Sequence, residues 1–236
     1  MATVAIYSLK GGVGKSTLAV NLAWCAATLS SRRTLLWDLD PQAASSWMLG
    51  KDGGGERAHA VFSRHVPPAR LIRVTPVERL DLLPADASLR ELDHLFRTLA
   101  KKRRLRRLLG ELGDHDRVLL DCPPGLTETA DQVARAADLI VVPVVPSALS
   151  ERAWVEVDRH LGGRTRTLPV HVMVDRRRAL HADALARHPD WPVIPMASAV
   201  ERAATDRRCL GEVAPRSAAA VAFADLWTAV ERRLVT

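Results

Sequence analysis

Residues 7–17, "YSLKGGVGKST", carry the spacing of a phosphate-binding loop and one lysine more than such a loop requires. In the pattern G-x-x-x-x-G-K-[ST], backbone N–H groups cradle phosphates, the lysine reaches the β- and γ-phosphates and the hydroxyl ligates Mg²⁺. Aligned on Gly14, Lys15 and Ser16, the chain has Leu9 where the first glycine belongs and a second lysine, Lys10, inside the loop. Gly11, Gly12 and Gly14, with Val13 between them, let the backbone curl and turn its N–H groups inward. A helix starting near Gly14-Lys15 adds its positive dipole end. On this reading Lys15 meets the β/γ-phosphates, Ser16 holds Mg²⁺ and Thr17 bonds a phosphate nearer the base. A strand-like run before the loop and a helical pattern after it speak against a chance glycine turn.

Phosphoryl transfer also needs carboxylates to hold magnesium and to place a water in line with the γ-phosphorus. Three acids lie at expected strand ends. Asp121 follows "VLL" and is the Walker-B candidate, acting on Mg²⁺ directly or through water. Asp38 and Asp40 close "TLLWDLD", where alternation puts both on one side of the strand. A lone strand-end aspartate is as often a turn former or helix cap. Three beside a phosphate loop form a constellation.

The elements that must position these residues alternate along the chain. Short β-rich runs are expected at 3–8, 33–40, 80–85, 117–125, 138–145, 170–175 and 191–195. From Ser16, the residues Leu18, Leu22, Cys25, Ala26 and Leu29 recur on one helical face. Residues 86–112 read as helical, with Leu89, Leu92, Leu95, Phe96 and Leu99 in one stripe. The tail 217–236 carries Ala220, Phe223, Trp227, Val230 and Leu234 at helical spacing. The glycine-rich stretch 50–59 reads as a surface loop. Continuous β-rich runs separated by helices imply an α/β fold: one doubly wound, mostly parallel sheet flanked by helices, spanning 1–236 as a single domain. Ligands in such sheets sit at the carboxyl ends of the strands.

The composition bounds the partners. The chain has 236 residues, 47% of them hydrophobic. No apolar run approaches the roughly 18 residues of a membrane span. No basic segment followed by a long apolar stretch opens the sequence, so no signal peptide is expected. Cys25, Cys122 and Cys209 are scattered without a C-x-x-C, which points to reduced structural thiols in a cytoplasmic protein rather than a disulfide or zinc framework. The net charge of +7 suits a polyanionic partner.

"KGGVGKST", "LLWDLDPQAASS" and "VLLDCPPG" together resemble the three signature segments of the ParA/MinD family of deviant-Walker P-loop ATPases, the ParA branch best. Farther on, "PVVPSALSE", "MVDRR" and "VIP" resemble later family segments, so the likeness runs over almost the whole chain. The resemblance implies an ATPase using ATP and Mg²⁺ that sandwiches nucleotide in a homodimer. It makes Lys10 the signature lysine reaching the partner's ATP, Asp40 the water-positioning acid, Asp38 a supporting metal-side carboxylate, and Pro195 and Asp175 part of the adenine surroundings. It implies partition or positioning of DNA through ATP-switched nonspecific DNA binding, nucleoid association when ATP is bound, and hydrolysis stimulated by a separate adaptor or centromere-binding protein. The missing helix-turn-helix before the loop matches the small ParA type. Two departures stand out: Ser150 occupies the acidic place of P-S-x-x-D, and 196–208 lacks the usual basic residue soon after the proline.

The basic surface has several candidates. Arg202, Arg207, Arg208 and Arg216 lie where the resemblance implies DNA binding, and Arg176, Arg177 and Arg178 form a second group. Residues 101–107 carry six positive charges, either tracking a phosphate backbone or forming the solvated face of a helix with Leu105, Leu108 and Leu109 inside. Sparse aromatics argue against single-strand stacking. The tail has only Arg232 and Arg233 as cations, so it reads as a core helix and no stable membrane association is expected. Trp24, Trp37, Trp47 and Trp154 read as packing residues. Two alternatives remain beside DNA partition: a ParA-like positioning ATPase for a protein cargo, and a metabolic ATP-dependent relative.

Overall fold

A computed structural model describes residues 1–51, 58–63, 66–99 and 103–235. Its strands are β1 (Ala2–Ile6), β2 (Thr34–Asp38), β3 (Arg73–Val74), β4 (Leu80–Leu83), β5 (Arg117–Asp121), β6 (Leu139–Val144), β7 (Arg166–Val174) and β8 (Val193–Pro195). They form one sheet in the order β3-β4-β2-β5-β1-β6-β7-β8. Every pairing is parallel except β3 with β4. The doubly wound, mostly parallel α/β fold expected from the alternation is the fold observed.

The described helices are α1 (Lys15–Thr28), α2 (Ala44–Met48), α3 (Ala58–Ser63), α4 (Leu92–Leu99), α5 (Arg104–Gly110), α6 (Glu128–Ala136), α7 (Ala148–Leu161), α8 (Ala179–Arg187), α9 (Ser198–Thr205), α10 (Leu210–Val213) and α11 (Ala218–Val235). Strand alternation sends neighbouring residues to opposite faces. Val4, Ile6, Leu119, Val141 and Val170 meet α1 and α11 on one side. Ala5, Tyr7, Leu120, Ile140 and Val142 meet the layer built from α3 to α7 on the other. Three layers result, with the sheet buried on both faces. Arg117 on β5 ties α11 to the sheet through two bonds to Glu231, 2.7 and 2.8 Å. Among the described residues no helix is long and apolar enough to cross a membrane.

Helix α10 is held tightly against α1. Asn21 Nδ2 donates to the Thr17 carbonyl, while Asn21 Oδ1 accepts from the Leu210 N–H at 2.8 Å. Gly211 abuts the Trp24 ring so closely that a Cβ there would stand 2.3 Å from it. All three cysteines are buried. Burial pushes the Cys25 thiol up to about 12 and raises those of Cys122 and Cys209 as well.

Several local expectations are corrected. The stretch 86–112 is not one helix: a 3₁₀ turn (Ala87–Glu91) leads into α4, and α5 begins anew after Arg103, whose φ of −134° leaves helical space. Leu89, Leu92 and Phe96 are buried and Leu95 half-buried, while the Leu99 side chain lies outside the described residues. Leu29 is 53% exposed because α1 ends at Thr28. In the run 101–107, residues 101–102 fall outside the described residues, and Arg104 is buried rather than on a solvated face. Its Nε and Nη2 donate to the carbonyls of Phe62 and Val61, 3.0 Å each, capping the end of α3. Of the 50–59 loop, residues 52–57 lie outside the described residues and 58–59 open α3. The tail helix packs as expected, burying Phe223, Trp227 and Val230.

Candidate active site

The phosphate loop joins the carboxyl end of β1 to α1. Gly12 and Gly14 sit at φ +72° and +81°, the left-handed region where a side chain is strained. Gly14 caps α1 with no side-chain acceptor, and no acid occupies the first turn. The helix therefore opens with N–H groups unclaimed by any side chain, a setting suited to an anion. Lys15 is buried, and its Nζ donates to the Lys10 carbonyl at 3.2 Å. Lys10 is half-buried, and among the described residues its ammonium makes no hydrogen bond or ion pair.

Sheet register brings two of the acids together. Asp38 at the end of β2 is the direct partner of Asp121 at the end of β5, which in turn pairs with Ile6 just before the loop. Both carboxylates are fully buried. Burial raises Asp121 to about 6, with the charge of Asp40 adding to it and the Ser45, Ser16 and Lys15 groups opposing. Burial, then the Asp121 charge, raises Asp38 well above the carboxylate range. Asp40 lies two residues past the end of β2, so strand alternation does not place it. It stands in the turn that follows, nearly buried, with Oδ1 accepting the Gln42 N–H at 2.9 Å.

Two serines that sequence reasoning quoted without assigning a role complete the site. Ser45 Oγ donates to Asp121 Oδ2 at 2.6 Å. Ser46 donates its N–H and Oγ to Asp38 Oδ2 at 2.9 and 2.8 Å, and Asp38 Oδ1 accepts the Asp40 N–H. The signal available was the pair itself, five and six residues after Asp40. Helix α2 starts after Ala43, whose φ of +54° swings both hydroxyls back toward the acids.

The residues fit a magnesium nucleotide. Asp121 Oδ1 is buried without a hydrogen-bond partner of good geometry, and the nearby Ser16 hydroxyl and Lys15 both favour its charged form. Among the described residues no three His, Cys, Asp or Glu gather to hold an ion by themselves. Mg²⁺ ordinarily takes one or two carboxylates plus phosphate oxygens and water, which matches such a sparse donor set. Beside the loop, a cavity of ≈ 230 Å³ is lined by Val13, Gly14, Thr17, Met173, Pro195 and Met196 among others. Pro195 thus faces a space continuous with the loop. Asp175 does not line it; its carboxylate is bonded to Arg177 at 2.9 Å, which holds it down at about 2.

The predicted basic residues are not gathered at this site. Arg202 and Arg216 are exposed. Arg207 stacks 4.8 Å over the Trp47 ring, and Arg208 lies 3.8 Å from Glu212. Trp47 packs in this way although it is 45% exposed.

Comparison with known proteins agrees with the fold. A family model described as an AAA domain matches residues 1–156. The chain is 33% identical to the chromosome-partitioning ATPase Soj of Thermus thermophilus, over 98% of this chain and 96% of that one. It is 34% identical to the sporulation initiation inhibitor protein Soj of Bacillus subtilis over 145 residues, 60% of this chain and 57% of that protein, so it spans little more than half of some curated relatives. Among solved structures, McdA(D38A) of Cyanothece in complex with ATP superposes with a TM-score of 0.84 at 20% identity, covering 99% of this chain and 96% of that one. The cell division ATPase MinD of Pyrococcus furiosus gives 0.82 at 24%, over 98% of both. Cobyrinic acid a,c-diamide synthase of Mycobacterium smegmatis, with an ATP analog and magnesium bound, gives 0.80 at 27%, over 98% and 94%. The chain belongs to the ParA/MinD family of deviant-Walker P-loop ATPases.

Proposed function

We propose that residues 1–236 form a single ParA-like ATPase domain that hydrolyses ATP as a homodimer and uses the switch to partition or position DNA, with an adaptor protein stimulating hydrolysis. The observation that carries this reading is the ammonium of Lys10, which makes no hydrogen bond or ion pair among the described residues, beside a loop whose own lysine, Lys15, is held at the Lys10 carbonyl. One subunit has no evident need of a second cation, whereas charge on a transferring phosphoryl group can be met by a cation supplied in trans.

The residues take these roles. The N–H groups from Gly11 to Thr17, Val13 included, hold the phosphates, and Pro195 borders the base, with Asp175 one residue past Val174, the strand partner of Pro195 on neighbouring β7. Lys15 leaves the Lys10 carbonyl for the β- and γ-phosphates, releasing the loop backbone. Ser16 and the unpartnered oxygen of Asp121 are the ligands offered to Mg²⁺, and Asp38 steadies the Ser46 end of α2 behind them. The ion, when bound, neutralises charge on the β- and γ-oxygens. Asp40, beyond the strand and held by the Gln42 N–H, orients a water toward the phosphorus.

Light scattering during size exclusion tests this. Wild type should double in mass with ATP and not with ADP, and Asp40→Ala should stay doubled. Lys10→Ala should bind ATP yet remain single or fail to hydrolyse; Lys15→Ala should lose nucleotide. Unchanged dimerisation and hydrolysis in Lys10→Ala would remove the central support.

A protein cargo is the second reading, favoured by one observation. Two of the four arginines expected to meet DNA are engaged within the chain, Arg207 on Trp47 and Arg208 with Glu212. Salt-dependent DNA binding by ATP-bound Asp40→Ala decides for the first reading; its absence decides for the second.

A further inference from the structure

A cleft of about 410 Å³ lies far from the phosphate loop and is lined by Arg103, Arg106, Arg135, Arg164, Ala134, Ala137 and Thr165. Ala137 stands just before β6 and Thr165 just before β7, so the cleft opens at the amino ends of strands whose carboxyl ends face the phosphate loop. A strand of this length spans about 20 Å, so a nucleotide on the loop cannot reach it.

The four guanidiniums are gathered with little to neutralise them. Among the described residues, Arg103, Arg106 and Arg164 have no carboxylate within ion-pair distance. Among the described residues Arg164 bonds to the carbonyls of Leu161 and His160 alone, at 3.1 and 2.6 Å. Arg135 lies 3.6 Å from Asp131 and 4.0 Å from Glu128, yet its Nη1 is buried without a hydrogen-bond partner. The arrangement is held in place. Arg104 roots α5 through its two carbonyl bonds, and the Leu105 N–H donates to Gln132 on α6. Arg103, the residue just before that anchored helix, and Arg106, on its first turn, are both exposed and both line the cleft. Like charges fixed side by side repel unless an anion joins them.

We propose that this cleft is a second anion site, specific for phosphoryl groups on a polyanion. Guanidinium forks match phosphate bidentately. The lining offers no large apolar side chain to anchor a peptide, whereas a phosphate chain needs only cations. The bearer is either a nucleic-acid backbone or a free polyphosphate compound.

The test uses full-length protein with excess ADP on the phosphate loop, so that ATP-dependent dimerisation does not contribute. A labelled DNA duplex and inorganic tripolyphosphate are titrated separately against wild type, Arg103→Glu/Arg106→Glu, Arg164→Ala and Arg202→Glu. Duplex binding that weakens about tenfold or more in the double variant, with its salt slope flattened by roughly 0.9 per lost phosphate contact, supports the proposal and names nucleic acid as the bearer. Tripolyphosphate binding with the same arginine dependence and no duplex binding supports it and names a free compound. Binding that the double variant and Arg164→Ala leave unchanged overturns it. So does binding of polyglutamate with neither phosphate probe bound. ATP-dependent mass doubling, followed in the same variants, should not change; its absence in wild type would count against the proposed dimer and not against the cleft.

Discussion

Asp121 shows how one side chain can be costly to the fold and useful to the site. A carboxylate with an unpartnered buried oxygen is disfavoured unless a cation or proton joins it. Asp121→Asn removes the charge and keeps the shape. Without nucleotide it should melt roughly 2–4 °C higher than wild type. With ADP it should lose the further stabilisation that Mg²⁺ gives wild type. Melting curves with and without the metal check both; a lower melting point together with an intact magnesium effect would contradict the assignment. Lys15 and Ser16 could be read from spacing, because loop chemistry is written in consecutive residues, and Asp38 and Asp121 from their places at the ends of apolar strands, whereas Asp40 stands in the turn beyond β2, where strand alternation does not reach. Ser45 and Ser46 could not be assigned, since their role depends on the left-handed turn at Ala43 that returns α2 to the sheet. Arg104 was misplaced for a related reason: a charge run shows its sign, not which member finds a pair of orphan carbonyls.

At the scale of elements, the contact between α1 and α10 is the one most exposed to a small change. Gly211→Ala forces a Cβ into the Trp24 ring, and overpacking of this kind costs about 1–3 kcal/mol. The same shift strains the bond that the Leu210 N–H donates to Asn21 Oδ1. Urea unfolding should show the loss, and Trp24→Leu should rescue it by opening space; no loss in the single variant would mean that α10 yields freely. Long parallel strands were legible because burial on both faces makes them apolar throughout. Two-residue β3 gave no signal, with both residues exposed, and α8 was missed because its buried positions, His181 and Ala184, form no apolar stripe.

For the whole molecule, acid sensitivity should be set in part by His171. It is fully buried against Trp191 and His188, and neither ring nitrogen makes a well-aligned hydrogen bond. Burial first, then the neighbouring His188 and Arg187 charges, hold it below the usual histidine range; the His188 backbone and Glu151 oppose this only in part. The unfolded chain therefore takes up a proton near pH ~6.5 that the folded chain refuses. Stability is intact above that value and falls as pH drops through it toward the lowered folded pKa. Urea midpoints between about pH 7.5 and 5.5 should decline in wild type and stay flatter in His171→Leu; equal slopes would assign the sensitivity elsewhere. The three buried cysteines have a consequence of another kind. A maleimide dye attacks thiolates, and a thiol that is both sealed in the core and reluctant to ionise presents almost none. The native chain is thus nearly silent to such dyes. A single cysteine introduced on an exposed face would carry the only label, and two such chains would report on each other's distance by energy transfer without any native thiol having to be removed.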